Sequence, residues 1–320
     1  MNIALLLKGA AMGIAEAIPG VSGGTIAFIT GIYEELIDTI KSFTPSGVLE
    51  LFKDPKSGWK TLNGPFLLWL LIGMGLGIVL GVFGISHLIE HHQILLWSFF
   101  FGLVLASAFY FALDIRWDLY LIILALGGAT LAYVMTRFLP AQGSEHPLYL
   151  IMSGVLAISA LMLPGLSGSF ILLLLGLYQT VIGGVKGILS GDLSKISVVG
   201  FFSVGALIGL FSFSRVLSFL FRKFPAATMA TMIGILFGSL SKLWPWKIIT
   251  SAIEKKTGLL ISLQQAELHD KEALKVASEV NVLPMQYANF GDPRTIICIS
   301  CILLGILVVG LLTKFSSPKG

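Results

Sequence analysis

The chain has 320 residues, of which 12% are charged and 56% are hydrophobic. A soluble protein needs amphipathic helices with charged outer faces, and the longest apolar runs of this chain have no such face. The net charge of +4 is explained by loop lysines beside anionic lipid headgroups. The composition therefore predicts an all-α integral membrane protein and argues against a nucleic-acid partner.

The first predicted element, residues 3–40, is apolar on both sides of a helix-breaking turn. This turn, EAIPGVSGG, covers Glu16 to Gly24. One continuous helix over the segment would be roughly 55 Å long at ~1.5 Å per residue, which is too long for a bilayer. Proline and glycine favour a chain reversal instead, so we predict a re-entrant helical hairpin at residues 3–40.

Three transmembrane spans are predicted after this hairpin. Each has about the ~20 apolar residues needed to cross a ~30 Å hydrocarbon layer. They are residues 66–88, 94–113 and 119–139. A polar cluster from His87 to His92 is interpreted as a loop between the first two spans. With its hairpin, the first half covers residues 1–140.

A second copy of the turn, LMLPGLSGS, covers Leu161 to Ser169. It predicts a second re-entrant hairpin at residues 148–186, whose second arm is a helix from residue 167. Three further apolar runs predict spans at residues 196–221, 226–243 and 295–312. The second half therefore covers residues 148–314.

The similarity between the halves extends beyond the turns. When Pro19 is aligned with Pro164, glycines and tyrosines on either side also coincide, for example Gly31 with Gly176. A hairpin plus three crossings is an odd number of crossings, so the second half is expected to be inserted upside down. This predicts inverted-topology repeats, each a re-entrant helical hairpin plus three transmembrane helices, with the two turns meeting near the midplane.

One polar segment interrupts the second half, at residues 245–290. It mixes Lys, Glu and Asp with leucines at helical spacing. We predict an extramembrane insertion of short amphipathic helices that covers one face of the protein.

Backbone amides and hydroxyls at the two turns predict an anion site. Each turn precedes a helix N-terminus, where unpaired N–H groups and the helix dipole favour an anion such as phosphate. The alternative is a reversal in which glycine merely permits close packing. The predicted phosphate-binding residues at the turns are Gly20, Val21, Ser22, Gly23, Gly24, Thr25, Gly165, Leu166, Ser167, Gly168 and Ser169.

Two charged residues inside apolar segments are functional candidates, because charge is costly there. Arg215 is predicted to bind phosphate, since guanidinium matches phosphate oxygens bidentately; the alternative is that it snorkels to the interface. Glu16, beside the anion site, is predicted to couple transport to H⁺ or Na⁺; the alternative is an ion pair with Lys8. Leu161 stands at the corresponding position of the second half.

The chain carries no nucleotide-binding G-x-x-x-x-G-K-[ST] pattern, so we predict neither ATP-driven transport nor a cofactor, and no metal site. Neither turn has a His or Arg that would stabilise phosphoryl transfer. We therefore predict a transporter rather than an enzyme.

The segment GIAEAIPGVSGGTIAFITGIYEELI and its echo LMLPGLSGSFILLLLGLYQTVI resemble a bacterial and archaeal family of polyprenyl-phosphate (undecaprenyl-phosphate) transporters. The resemblance covers essentially the whole chain. It implies a multi-pass protein of the cytoplasmic membrane that flips the lipid carrier from the outer to the inner leaflet, which recycles it for peptidoglycan and other cell-envelope polymers.

Two alternatives stay open at this point. Polyprenyl-diphosphate phosphatases also have inverted re-entrant hairpins with a Glu before a Pro-x-Ser-Ser-type turn, and the first turn faintly echoes that pattern. A transporter of ions or small anions would also use paired breaks. The sequence leaves the oligomeric state open and allows a homo-oligomer.

Overall fold

The computed structural model describes residues 2–16, 18, 21–138, 140–254, 260–262 and 274–315. The chain is predominantly helical, which together with its apolar spans confirms the predicted class of α-helical membrane protein. The helices of the first half are α1 (Ile3–Glu16), α2 (Gly23–Ile29), α3 (Tyr33–Ser42), α4 (Pro45–Lys53), α5 (Pro55–Thr61), α6 (Gly64–Leu113) and α7 (Leu119–Met135). The second half contains α8 (Pro147–Met162), α9 (Gly168–Leu174), α10 (Tyr178–Leu189), α11 (Ile196–Lys223), α12 (Pro225–Leu243), β1 (Lys247–Glu254), β2 (Leu260–Ser262), β3 (Leu274–Asn281), α13 (Pro284–Tyr287) and α14 (Thr295–Phe315).

Among the described residues, five helical segments are long and apolar enough to cross a membrane. They are Gly64–Gly81 and His92–Leu113 within α6, then Ile196–Lys223, Pro225–Leu243 and Thr295–Thr313. They correspond to five of the six predicted spans. The sixth corresponds to α7, which is apolar but has 17 residues and ends four residues before the predicted limit at Leu139, a residue outside the described part.

The boundary between the first two spans differs from the predicted polar loop. Helix α6 continues through this region, and the break is at His92, whose backbone is non-helical (φ −137°, ψ 34°). The side chains of His87, Glu90 and His91 lie outside the described part. Among the residues whose side chains are described, no group of His, Cys, Asp or Glu is arranged to hold a metal ion.

The second arm of each predicted hairpin is split into two helices at the same place. In the first half α2 ends before α3, and in the second half α9 and α10 are bent by 114°. Gly31 (φ 72°) and Gly176 (φ 69°) have left-handed backbones, which only glycine adopts at low cost. The prediction of one continuous second arm was therefore wrong, because these glycines end the helices.

Both helix ends have the hydrogen bonds of a Schellman motif. Ile32 N–H donates to the Ala27 carbonyl over 3.0 Å. The equivalent bond from Leu177 N–H to the Leu172 carbonyl is 2.9 Å long. The matched ends direct α3 and α10 away from the short helices that precede them.

The first arm of each predicted hairpin packs along the span that follows it. In the first half, a Cβ added at Gly9 would lie 2.4 Å from the Leu70 carbonyl oxygen, and one at Gly13 would lie 2.1 Å from that of Met74. The contacts advance together along both helices, so α1 and α6 run parallel.

The second half repeats this arrangement. A Cβ added at Gly205 would lie 2.0 Å from the Ile151 carbonyl oxygen, and one at Gly209 would lie 2.8 Å from that of Val155. Helices α8 and α11 are therefore also parallel, and small residues allow the close approach of their backbones.

Helices from different halves also pack closely. A Cβ added at Gly102 in α6 would lie 2.1 Å from the Ile302 carbonyl oxygen in α14. A Cβ added at Gly234 in α12 would lie 1.9 Å from the Ala125 carbonyl oxygen in α7. The last span of each half thus packs against the middle span of the other half.

A three-stranded antiparallel sheet, with strand order β2-β1-β3, follows α12. The prediction of amphipathic helices at residues 245–290 was therefore wrong for the strand residues; residues 255–259 and 263–273 lie outside the described part. Strand β1 reads KIITSAIE, and its Ile and Thr side chains favour a strand. We call the end of the helix bundle that carries this sheet the sheet end.

Two contacts define the two ends of the bundle. At the sheet end, Thr136 after α7 lies 3.2 Å from Ser241 in α12, measured between the hydroxyl oxygens. At the opposite end, Arg222 near the end of α11 pairs with Asp38 in α3, with 3.3 Å between Nη2 and Oδ1. Successive spans therefore run between the same two ends.

Candidate functional site

The two helix breaks lie against each other inside the protein. Gly165 N–H in the second break donates to Thr25 Oγ1 after the first break, over 2.8 Å. Ser22 Oγ donates to the Leu161 carbonyl over 3.4 Å. These bonds join positions about 140 residues apart in the chain, so the fold brings the two turns together.

Tyr33 adds a third bond between the halves. Its hydroxyl donates to the Met162 carbonyl over 2.5 Å, and the residue is 3% exposed. When the two halves are aligned on Pro19 and Pro164, Tyr33 coincides with Tyr178, but Tyr33 is not among the predicted site residues. Its recurrence at the same distance from each turn was the available signal.

The backbones of the two breaks have the same local hydrogen bonds. Val21 N–H donates to the Ile18 carbonyl, and Leu166 N–H donates to the Leu163 carbonyl, each over 3.2 Å. The amides of Val21 and Leu166, which were predicted to be free, are therefore occupied within the protein. Their side chains are buried in the hydrophobic core.

The N-terminus of α2 is capped by two side chains. Gly23 N–H donates to Glu16 Oε1 over 2.6 Å, and Gly24 N–H donates to Ser22 Oγ over 3.1 Å. A carboxylate and a hydroxyl thus occupy the donors that were predicted to be open to a phosphate. In this conformation the Glu16 carboxylate stands where an external anion would bind.

The N-terminus of α9 differs from that of α2. Ser167 Oγ lies 2.7 Å from Ser169 Oγ and does not cap the helix. Leu161 stands at the position that corresponds to Glu16 and has no group to accept from an amide. Within the part of the chain that the structure describes, no hydrogen bond is found from the Gly168 or Ser169 amide. The second break therefore presents hydroxyls and amides that the first break uses internally.

The predicted turn residues are largely removed from the surface. Ser22 is 2% exposed, Thr25 1% and Ser167 5%, and Gly165 and Ser169 are partly exposed. Pro19 and Gly20 lie outside the described residues. The buried predicted residues are Val21, Ser22, Gly23, Gly24, Thr25, Leu166, Ser167 and Gly168. Such burial of polar groups at an irregular backbone is tolerated where protein partners satisfy them.

The structure does not bring Arg215 to the breaks. Its side chain is exposed on the bundle, and its Nη1 donates to the Phe211 carbonyl of its own helix over 2.6 Å. The alternative ion pair between Lys8 and Glu16 is not formed, since Lys8 Nζ donates to the Thr30 carbonyl over 2.8 Å. Glu16 is therefore bound to the α2 amide rather than to Lys8.

One cation near the second break was missed by the sequence analysis. Lys242 Nζ, at the end of α12, lies 5.3 Å from the centre of the Phe170 ring in α9. In the sequence Lys242 is indistinguishable from an ordinary lysine at the end of a span. Its proximity to the break depends on the packing of α12, which no local pattern predicts.

Comparison with known proteins gives a family for this chain. Residues 12–261 match the family model described as VCA0040-like, undecaprenyl phosphate translocase-like. A polyprenyl-phosphate transporter of Vibrio cholerae is 39% identical over 276 residues, which cover 85% of this chain and 87% of that protein. A polyprenyl-phosphate transporter of Staphylococcus aureus is 29% identical over 259 residues, covering 75% and 85% of the two chains. No solved structure matches the chain significantly.

The matched region includes both breaks in full and four of the five long spans. The relatives are transporters rather than enzymes. The chain therefore belongs to the undecaprenyl phosphate translocase-like family of membrane transporters, as the paired turns indicated.

Proposed function

We propose that this protein moves polyprenyl phosphate from one leaflet of a membrane to the other, and that the phosphate head crosses between the two helix breaks. The observation that carries this proposal is the direct contact of the breaks through Thr25 and Gly165. The family match and the names of the relatives support the choice of substrate.

A lipid phosphate does not cross a bilayer readily on its own, because transferring its charge from water into hydrocarbon is very costly. A polar passage between the breaks lowers this cost by replacing water with protein donors. The isoprenoid chain needs no such passage, since it stays in lipid. The protein therefore has to enclose the head and leave the side of the passage open to the membrane.

The donors proposed for the head are the hydroxyls and amides of the breaks. Ser167 and Ser169 contribute hydroxyls from the second break. Ser22 and Thr25 contribute theirs from the first break once their bonds to Leu161 and Gly165 open. The amides of Gly168 and Ser169 add backbone donors at the start of α9. Together these groups match the oxygen acceptors of a phosphate.

We also propose that the two halves are inverted repeats, because this arrangement would let the breaks serve both leaflets. Helix α1 runs parallel to α6, which begins at the end opposite the sheet; α8 runs parallel to α11, which begins at the sheet end. The two hairpins would then enter from opposite sides and meet at their tips. Rocking of one half against the other would expose the head site to each leaflet in turn.

Glu16 is proposed to couple transport to H⁺ or Na⁺ by competing with the phosphate. Its Oε1 accepts from Gly23 N–H over 2.6 Å, which is a donor that a bound phosphate would also use. A proton or sodium ion on the carboxylate weakens this contact and removes the repulsion between two anions. Binding of the cation would thus favour binding of the phosphate in the same cycle.

The biological setting follows from the proposed substrate. Transport from the outer to the inner leaflet of a bacterial or archaeal cytoplasmic membrane would return the lipid carrier to the side where envelope polymers are begun. Arg215 is exposed on the outer surface of α11. It would bind the phosphate head of a lipid that approaches from the membrane, rather than a phosphate head between the breaks.

The test is reconstitution of the purified protein into liposomes that contain polyprenyl phosphate. We expect faster movement of the phosphate between leaflets than in protein-free liposomes, with a rate that changes when a proton or sodium gradient is imposed. Equal rates with and without protein would reject the function. Release of inorganic phosphate from polyprenyl diphosphate would favour the phosphatase alternative.

A further inference from the structure

Two lysines share one carboxylate at the sheet end. Lys242 Nζ and Lys247 Nζ lie 3.5 Å and 3.6 Å from the same atom, Glu279 Oε2. The group therefore carries one positive charge in excess when all three side chains are ionised. We call these three residues the lysine cluster.

The excess charge is held in a poorly solvated place. The Lys247 side chain is 11% exposed, its ammonium donates to the Lys242 carbonyl, and it lies 4.9 Å from the centre of the Trp97 ring. Burial lowers the pKa of Lys247 to about 8, with Lys242 adding to this effect and Glu279 opposing it. A cation that is expensive to bury favours an additional anionic partner.

The cluster lies next to the second break. Lys242 reaches the Phe170 ring, and Phe170 follows Ser169 in α9. One turn earlier in α12, Ser239 Oγ would lie 3.0 Å from a Cβ added at Gly165. Helix α12 therefore connects the lysine cluster at the sheet end with the buried hydroxyls of the break.

We propose that Lys242 and Lys247 bind a phosphate monoester at the sheet end, and that this is where the polyprenyl phosphate head is received or released on its way through the second break. This inference rests on the proposed function for the identity of the lipid. A phosphate monoester carries up to two negative charges and so matches two ammonium groups. Glu279, whose side chain is 26% exposed, occupies the lysines until the phosphate replaces it.

An ion pair between one lysine and one glutamate elsewhere at the sheet end lacks these features. Lys195 pairs with Glu145 over 2.6 Å, and their side chains are 44% and 51% exposed. One cation faces one carboxylate in solvent, so this pair has no excess charge to offer. Lys195→Gln is therefore a matched control for the loss of a lysine at this end of the protein.

The first experiment measures transport of polyprenyl phosphate in liposomes. Lys242→Gln should raise the KM roughly tenfold, and Glu279→Gln should lower it, because the competing carboxylate is gone. Lys195→Gln should leave it unchanged. If the cluster were purely structural, Lys242→Gln and Glu279→Gln would change the KM in the same direction. That result would overturn the inference, and so would an unchanged KM in Lys242→Gln.

The second experiment measures binding without transport. Inorganic phosphate is added to purified protein in detergent while tryptophan fluorescence is recorded, with Trp97→Phe identifying the signal of the ring beside Lys247. We expect a saturable change in wild type and none in the double variant Lys242→Gln, Lys247→Gln. An equal change in the double variant would contradict the proposal.

The two experiments separate this inference from the proposed function. Phosphate binding at the cluster without any lipid transport would reject the function and keep the anion site. Transport that is insensitive to Lys242→Gln would keep the function and reject the site. If polyprenyl phosphate does not compete with inorganic phosphate for the cluster, the ligand is free phosphate and not the lipid head, which would overturn the assignment to the transport path.

Protonation of Lys247 gives a further test of the same site. Because its pKa is about 8, its charge is lost as the pH rises from 7 to 9. Among the described side chains, Lys242 and Glu279 are the titratable groups that face it. Phosphate affinity should fall over this range. Lys247→Arg keeps the charge and should remove the fall; an identical pH profile in this variant would contradict a role for Lys247.

Discussion

Thr25 joins the two breaks through its side-chain oxygen, which accepts from Gly165 N–H. The residue is 1% exposed, so water does not replace this bond when the hydroxyl is removed. Single polar contacts of this kind fix the position of one turn against the other and thereby the geometry of the proposed phosphate site.

Thr25→Val keeps the shape of the side chain and removes the acceptor. We expect a loss of about 1–3 kcal/mol in the free energy of unfolding, because the Gly165 amide is left without its partner. Thermal unfolding of the protein in detergent measures the effect. Thr313→Val is the control, since the Thr313 hydroxyl bonds to the Val309 carbonyl of its own helix; equal destabilisation by both variants would contradict the account.

Glu16 provides the second prediction at this scale. Glu16→Gln removes the titratable charge but keeps an oxygen that accepts from Gly23 N–H. Transport should lose its dependence on the proton or sodium gradient while phosphate binding persists. Liposome transport at several pH values and sodium concentrations measures this, and a gradient dependence equal to that of wild type would exclude Glu16 as the coupling residue.

The sequence identified most of the residues at the breaks, because the turn occurs twice and its residue types differ from their apolar surroundings. It did not reveal that Glu16 caps Gly23 or that Arg215 faces outward. The cap formed by Glu16 depends on how tightly the chain reverses. The outward orientation of Arg215 depends on the rotation of α11 about its axis, which a nearly uniform apolar sequence does not specify.

At the scale of the helices, the matched glycines are as important as the turns themselves. Gly31 and Gly176 both end a seven-residue helix and redirect the chain. This explains why each half has a short inner helix whose N-terminus lies at the break. A continuous second arm would have extended the helix past this point.

Substitution of Gly176 tests this role. Gly176→Ala should destabilise the protein by at least ~1–2 kcal/mol, because alanine is strained at a φ of 69° and its Cβ would lie 2.2 Å from the Ala141 carbonyl oxygen. Gly127→Ala is the control, since no atom lies within 4 Å of a Cβ added there. Thermal unfolding measures both, and a Gly176→Ala variant as stable as wild type would contradict the proposed helix end.

The spans were predictable, whereas the sheet was not. A run of apolar residues with the length of a bilayer crossing has few alternatives. Residues 245–290 lie outside this constraint, and their leucines permitted a helical interpretation. Strands β1 and β3 pair across residues that are distant in sequence, and such pairing depends on tertiary contacts more than on local propensity.

At the scale of the whole molecule, each half depends on the other. The last span of one half packs against the middle span of the other at Gly102 and Gly234, and the breaks share hydrogen bonds. Neither half would complete the proposed site alone. Pairing of this kind would allow the halves to rock without exposing the polar tips to lipid.

The most direct test blocks the space between the breaks. Ser22→Leu and Ser167→Leu replace each buried hydroxyl with a larger apolar side chain. Size-exclusion chromatography checks that these variants are folded. Ser22→Ala and Ser167→Ala remove the hydroxyls with less perturbation of the packing. Movement of polyprenyl phosphate between leaflets of liposomes should fall roughly tenfold or more in the leucine variants, equivalent to at least ~1.4 kcal/mol. Wild-type rates in folded Ser22→Leu and Ser167→Leu proteins would show that the head does not pass between the breaks.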